Sequence, residues 1–301
     1  MNHESEIQER YETLKEEGSA HLAAGRLEEA LERFERAEEA ARRAGDADQV
    51  DLAFCNRSAV AVRLARTDGV QLRLQETLLR TTNRRVAVYS AYNLALAYDR
   101  SNSFEKSLFY ARIAHRYAAE LRDGALEALA LNQIGNVLTA LNQFQEALEH
   151  FRKADGLLPP GDDVARALLL DNLGYCHAVL GRFDLAFPAL FRSLRLLRKC
   201  GAELYEAEPR LALCFAYLGI GRPGRAIRHV NRALDIAERS EDARSMKYAL
   251  LLLGEGYKVA GHTGAARDCF RILQESYYPD MPEVPGLLLG LDVCKVINLR
   301  A

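Results

Sequence analysis

Apolar and small residues recur along the chain in steps of three and four, the period of an amphipathic helix. They do so in two kinds of segment that alternate. One kind carries a small residue on its apolar face, as in NQIGNVLTA and DNLGYCHAV. The other comes after a short turn and repeats one spelling: AAGRLEEALERFERA from Ala23, ALNQFQEALEHFRKA from Ala140 and VLGRFDLAFPALFRS from Val179. Looser copies are LGIGRPGRAIRHVNRA from Leu218 and VAGHTGAARDCFRIL from Val259. With the small residue as marker, the copies register at Gly18, Ser58, Ala95, Gly135, Gly174, Cys214 and Gly254, with gaps of 40, 37, 40, 39, 40 and 40 residues. A near-constant period of this length is the signature of a stacked repeat.

Each unit predicts two helices. In the fourth, Leu131, Ile134, Gly135 and Leu138 share one face, Leu141-Asn142-Gln143 makes a turn, and Phe144, Ala147, Phe151 and Ala154 mark the inner face of the second helix. Small residues at Gly135 and Ala147 let two helix axes approach, and Phe151 fills the space beside them. So short a pair cannot bury its apolar face alone, so neighbours must stack.

On these residues the unit resembles the tetratricopeptide repeat. The matches are Leu173-Gly174 and Ala186 in the fifth unit, Ile134-Gly135, Ala147, Phe151 and Ala154 in the fourth, and Gly18, Ala30, Phe34 and Ala37 in the first. The resemblance covers roughly residues 8–275. The period near 40 exceeds the family's common value of about 34, as in the repeat domains of bacterial peptide-sensing regulators and of cargo or polarity adaptors. It implies an all-α fold, a right-handed α-α superhelix of about seven helix pairs plus a C-terminal capping helix. The units fall near 8–46, 48–80, 85–122, 125–158, 164–200, 204–240 and 244–277, so that 1–278 forms the solenoid and residues 1–10 extend its first helix. Residues 279–301 form a proline-rich hinge and one apolar helix, GLLLGLDVCKVINLRA, that covers the seventh unit or meets a second copy of the chain. In the second unit Val70, Leu74 and Thr77 replace the small–aromatic–small set, which predicts a bend near 65–88. Pro188 sits early in a second helix, where it withdraws an N–H donor.

Composition narrows the function. Of 301 residues, 49% are apolar and 27% charged, with net charge −2, which excludes a mostly disordered chain and a globally basic nucleic-acid binder. No apolar run reaches the roughly 18 residues of a membrane span. The charged opening MNHESEIQER has no apolar leader core, and the six cysteines are scattered without a C-x-x-C pair, so free thiols and a cytoplasmic setting are expected, with no metal and no cofactor. The stretch Gly219–Gly224 spells G-x-G-x-x-G but comes after a helical segment, not a strand, and Gly221-Arg222 aligns with Gly25-Arg26 and Gly181-Arg182 as an inter-helix turn. His21 and His177 occupy the slot of Tyr98, Tyr217 and Tyr257 and read as packing residues. No set of titratable groups converges, so no enzyme is expected.

The resemblance implies that first helices line a concave groove and second helices a convex side. First-helix positions left over from packing are Asn56, Tyr89, Tyr92, Asn93, Asn132 and Asn136, then Asp171, Asn172, Tyr175, Phe215 and Tyr248. Asparagine is a poor mid-helix residue, so its recurrence needs a reason. Amides that pair with the backbone of an extended peptide supply one, beside rigid tyrosines; bonding within the repeat supplies another, best suited to Asn93 and Asn172. Charge is uneven: residues 1–50 hold 14 acids and 7 bases, net −7, and residues 180–232 hold 10 bases and 4 acids, net +6. Arg192, Arg195 and Lys199, then Arg225, Arg228 and Arg232, recur at helical spacing as a convex basic stripe that would suit an acidic partner or a solvated face. The sequence therefore predicts a non-catalytic interaction scaffold or adaptor with a protein or peptide in its groove. The alternative is a peptide-sensing regulator acting through a separate effector. Neither a membrane nor a nucleic acid is an expected partner, and homo-oligomers would form through the last helix.

Overall fold

The structure, a computed structural model, describes residues 3–301, with side chains from residue 8 onward. Residues 1 and 2 of the expected first-helix extension lie outside the described residues. The regular elements among the described residues are all helical. The chain falls into two compact units, Met1–Leu141 and Asn142–Ala301. The first holds α1 (His3–Ala23), α2 (Leu27–Ala44), α3 (Ala47–Arg63), α4 (Val70–Arg80), α5 (Arg84–Arg100), α6 (Phe104–Leu121) and α7 (Gly124–Ala140). The second holds α8 (Phe144–Leu157), α9 (Asp163–Val179), α10 (Phe183–Lys199), a 3-10 turn (Glu203–Glu206), α11 (Ala207–Gly219), α12 (Pro223–Arg239), α13 (Ala243–Val259), α14 (Thr263–Tyr277), α15 (Val284–Gly290) and α16 (Val293–Val296).

Odd-numbered helices up to α13 are the first members of their pairs. Within the first unit α2 packs on α1 and α3, and α6 on α5 and α7, while α3, α5 and α7 touch in succession. Within the second, α10 packs on α9 and α11, α12 on α11 and α13, and α9, α11 and α13 again touch in succession. Each unit is thus two layers, first helices in one and second helices in the other.

Local chemistry sets the helix ends. Most first helices begin at an acidic or amide cap whose side chain accepts from the first turn: Asp46 from Gln49 N–H, Asn83 from Arg85, Asp123 from Leu126, Asp162 from Ala165 and Asp242 from Ser245. Seven residues after each small marker the chain takes a left-handed turn, at Gly25, Ala65, Asn102, Asn142, Gly181, Gly221 and Gly261, with φ between 54° and 83°. In these turns the next N–H closes back on the helix just ended, as Arg26 N–H does on His21 O at 2.9 Å and Arg182 N–H on His177 O at 2.8 Å. Gly221 of the G-x-G-x-x-G stretch is one of them. The markers themselves sit where axes cross. A Cβ added to Gly174 would lie 2.6 Å from Leu190 Cγ, and one added to Gly18 would lie 2.8 Å from the Phe34 ring.

The second repeat keeps its place by different means. Val70, Leu74 and Thr77 are all buried on the eleven-residue α4. The carboxylate of Glu38 on α2 is also buried, and it receives Arg57 of α3 and Arg73 of α4, both at 2.8 Å, and Arg42 of α2 at 2.5 Å. The Arg73 guanidinium lies 3.7 Å over the Phe54 ring. In the fifth repeat α10 continues through Pro188.

The single helix expected after the proline-rich hinge is not formed. The chain makes two short helices, α15 and α16, separated by extended backbone at Leu291 and Asp292. Lys258 of α13 accounts for the break: its ammonium donates to the carbonyls of Leu288, at 3.0 Å, and Leu291, ending α15 there. α15 packs on α14, and Val293 joins Ala266 and Phe270 in a small apolar cluster. Leu287, Leu291 and Val296 stay exposed.

Candidate functional site

The first-helix layer of the second unit brings polar groups together under a short non-helical segment that closes in a turn at Leu299–Arg300. Asp171 and Tyr175 lie one turn apart on α9, Glu208 and Phe215 on α11, and Tyr248 on α13. After α16 the chain runs across them as Ile297–Ala301. Leu299 is buried in the same apolar cluster as Tyr175, Leu211 and Phe215. Its N–H donates to Tyr175 Oη at 2.8 Å, and that hydroxyl donates to Asn298 Oδ1 at 3.1 Å. Asn298 Oδ1 also accepts from Arg300 N–H at 2.9 Å, and its Nδ2 donates to Asn142 Oδ1 at 3.0 Å. Tyr248 Oη donates to the Ala301 carbonyl.

Arg300 is the anchor. Its guanidinium makes ion pairs with Asp171 at 2.6 Å and Glu208 at 2.7 Å and lies 5.1 Å over the Tyr175 ring. Burial pushes the Asp171 carboxyl up to about 7 against the pull of Arg300, and Glu208 adds to the rise. Burial also works against the Arg300 charge, but Asp171 and Glu208 outweigh it, so the guanidinium is held charged. The Tyr175 hydroxyl is raised by burial as well, which keeps it a neutral donor and acceptor.

Of the expected groove residues, Asp171, Tyr175, Phe215 and Tyr248 thus lie together beneath or beside one segment. Asn172 lies on the same helix, half-buried. Asn56, Tyr89, Tyr92, Asn93, Asn132 and Asn136 belong to the first-helix layer of the first unit. There Asn93 is a correction: it is buried, and its amide donates to the Cys55 carbonyl of α3 at 2.6 Å, so it ties two repeats together and offers nothing to a ligand. Burial raises the Tyr92 hydroxyl above its ordinary value. Glu208 and the 297–301 segment were missed by sequence reasoning. The available signal was Asp171 itself, a lone acid in the apolar run LLLDNLGY that calls for a cationic partner.

The basic stripe is on the surface: Arg192, Arg195, Lys199, Arg225, Arg228 and Arg232 are all exposed or half-exposed. Lys199 pairs with Asp163 at 2.7 Å, and Arg232 approaches Asp235 at 3.8 Å. Beside the stripe Tyr217 and His229 stack at 5.4 Å, and Phe191 meets His229 edge-on at 6.2 Å, so aromatic rings flank these arginines. His21 and His177 behave as packing residues: His177 is buried, and His21 Nδ1 accepts from Arg26 at 2.9 Å. Among the described residues no group of three or more His, Cys, Asp or Glu side chains is placed to hold a metal ion, and no helix is long and apolar enough to cross a membrane.

Comparison with known proteins agrees with this architecture. The tetratricopeptide repeat model matches residues 128–159. No curated protein matches the sequence. A Rap protein solved in complex with Competence and Sporulation Factor superposes with a TM-score of 0.71 at 18% identity, over 88% of this chain and 74% of that one. Aspartyl phosphate phosphatase F from Bacillus subtilis gives 0.67 at 14% identity, over 90% and 71%. A tetratricopeptide repeat protein from Parabacteroides merdae gives 0.54 at 18% identity, over 95% and 99%. At these identities the likeness is one of fold. Helix pairs with a small residue at the crossing and a left-handed turn seven positions on give this chain the fold of a tetratricopeptide repeat solenoid, and residues 128–159 match the model of that repeat.

Proposed function

We propose that the chain is a protein-interaction scaffold whose first-helix layer in the second unit binds a short protein segment. One observation carries the reading: that layer already holds a short segment, the turn Asn298–Ala301, through side chains aimed at its main chain as well as its side chains. Tyr175 accepts a backbone N–H and Tyr248 donates to a backbone carbonyl, groups that the main chain of another segment also carries. Asp171 and Glu208 add selectivity for a guanidinium. A polar–aromatic surface of this kind orients a ligand while the rings exclude water. The Rap protein of similar fold was solved with Competence and Sporulation Factor bound, which supports a binding role for the fold.

The test is peptide display against the Arg300→Ala chain and against the same chain carrying Glu208→Gln and Tyr248→Phe, at matched helicity. Enrichment of a sequence family on the first and its loss on the second is expected. No enrichment on the first, or equal enrichment on both, contradicts the assignment.

A further inference from the structure

Three features of the second unit bear on how this face is used. Its contacts to residues 298–301 are dominated by hydrogen bonds and ion pairs from first-helix side chains, unlike the apolar contacts that hold the helix pairs together. The segment comes after the four-residue α16, and within 297–301 its hold on the unit rests on buried Leu299, the largely buried Arg300 side chain and half-buried Ile297. Finally, the fit is incomplete. Asp171 Oδ1 and Arg300 Nε are buried but find no hydrogen-bond partner among the described residues, an arrangement that stabilises less than full pairing would.

We propose that Ile297–Ala301 is a tethered occupant of this face, a built-in competitor that an incoming segment must displace before it binds. The inference rests on the reading of the face as a segment-binding surface. A segment joined through a short linker competes at an effective concentration on the order of millimolar, so a free segment making the same contacts meets a site that is mostly closed. Local opening of α16 and the residues after it, which takes Val293 and Leu299 out of their apolar clusters, would expose Asp171, Tyr175, Glu208 and Tyr248 together. Binding would then be set both by the incoming sequence and by how easily the resident one leaves. A change that weakens the resident segment acts as an activator without touching the face itself.

The test uses a fluorescent, acetylated and amidated peptide of residues 297–301, titrated by anisotropy into full-length wild type, Arg300→Ala and Leu299→Ser. The second variant covers the case in which removing the arginine, which leaves Asp171 buried without its partner, disturbs folding; helicity is matched by circular dichroism. The expected result is binding about tenfold tighter or more to either variant than to wild type. Equal binding to all three overturns the tethered-competitor proposal and leaves the binding face standing. No binding to any of them overturns both.

Discussion

The Arg300 guanidinium sits 2.6 Å from the Asp171 carboxylate, across 129 residues of sequence. The pair is buried on both sides: the Asp171 side chain is 2% exposed and that of Arg300 12%. Breaking the pair leaves Asp171 buried without its cation, so it costs more than the loss of a surface pair.

Contrast that with Glu38. Its carboxylate is buried between α2, α3 and α4 with Arg42, Arg57 and Arg73 around it, all on helices that cannot move away. Glu38→Gln removes the charge that gathers three guanidiniums. Because those are partly exposed, the loss is discounted to about 1–3 kcal/mol. Urea denaturation should show it as a lower midpoint, and an unchanged midpoint would mean that α4 is held by Val70, Leu74 and Thr77 alone.

The close crossings make a paired prediction about glycine. A Cβ at Gly254 would lie well inside 3 Å of the Phe270 ring, which is fully buried and has no room to retreat. Gly254→Ala should cost about 1–3 kcal/mol by overpacking. Gly264, on α14, has nothing within 4 Å of its Cβ position, so Gly264→Ala should be neutral or stabilising by up to about 1 kcal/mol. Thermal melts of the two proteins should therefore shift in opposite directions, or the second not at all.

The left-handed turns predict a gain. Ala65 holds φ 57° at the position where four other repeats have glycine. An L-residue is strained there, and glycine is not. After the added chain entropy is set against that relief, Ala65→Gly should stabilise by about 0.5–1 kcal/mol. A lower melting temperature would show that the alanine methyl makes a contact that outweighs the strain.

His229 supplies a pH dependence of definite sign. Burial lowers its pKa to about 4, helped by Arg210 of α11, Arg228 of α12 and Arg198 of α10. In the unfolded chain it would titrate near 6.5. Between those values the unfolded state binds a proton that the folded state refuses, so this contribution is present in full above about pH 6.5 and is lost as pH falls toward 4. The melting temperature of wild type should drop more between pH 7.5 and pH 5 than that of His229→Gln. Parallel curves would contradict the assignment.

How far the sequence reached depends on the kind of signal. The repeat was legible because small residues at crossings and turn residues seven positions later recur at one period, and both are local requirements of the backbone. The composition of the face was partly legible, since Asp171, Tyr175, Phe215 and Tyr248 stand out as residues that helix pairing does not need. Two things were not legible. Asn93 reads in sequence as a groove amide or, better, as a bond within its own repeat, yet the neighbouring α3 takes its hydrogen bond, a fact of packing between repeats. The apolar spacing of residues 286–301 reads as one helix, and the lysine that ends it after Gly290 comes from α13, more than thirty residues away. Residues 297–301, beyond that break, are placed by long-range pairs that no local pattern announces.

The most direct test of the central claim is amide hydrogen exchange over residues 297–301, measured in wild type and in Asp171→Asn against a free peptide of the same sequence. The account predicts exchange in wild type well slower than in the free peptide, and a return toward the free-peptide rate in Asp171→Asn while the amides of α9 and α13 keep their protection. Exchange in wild type at the free-peptide rate would contradict it.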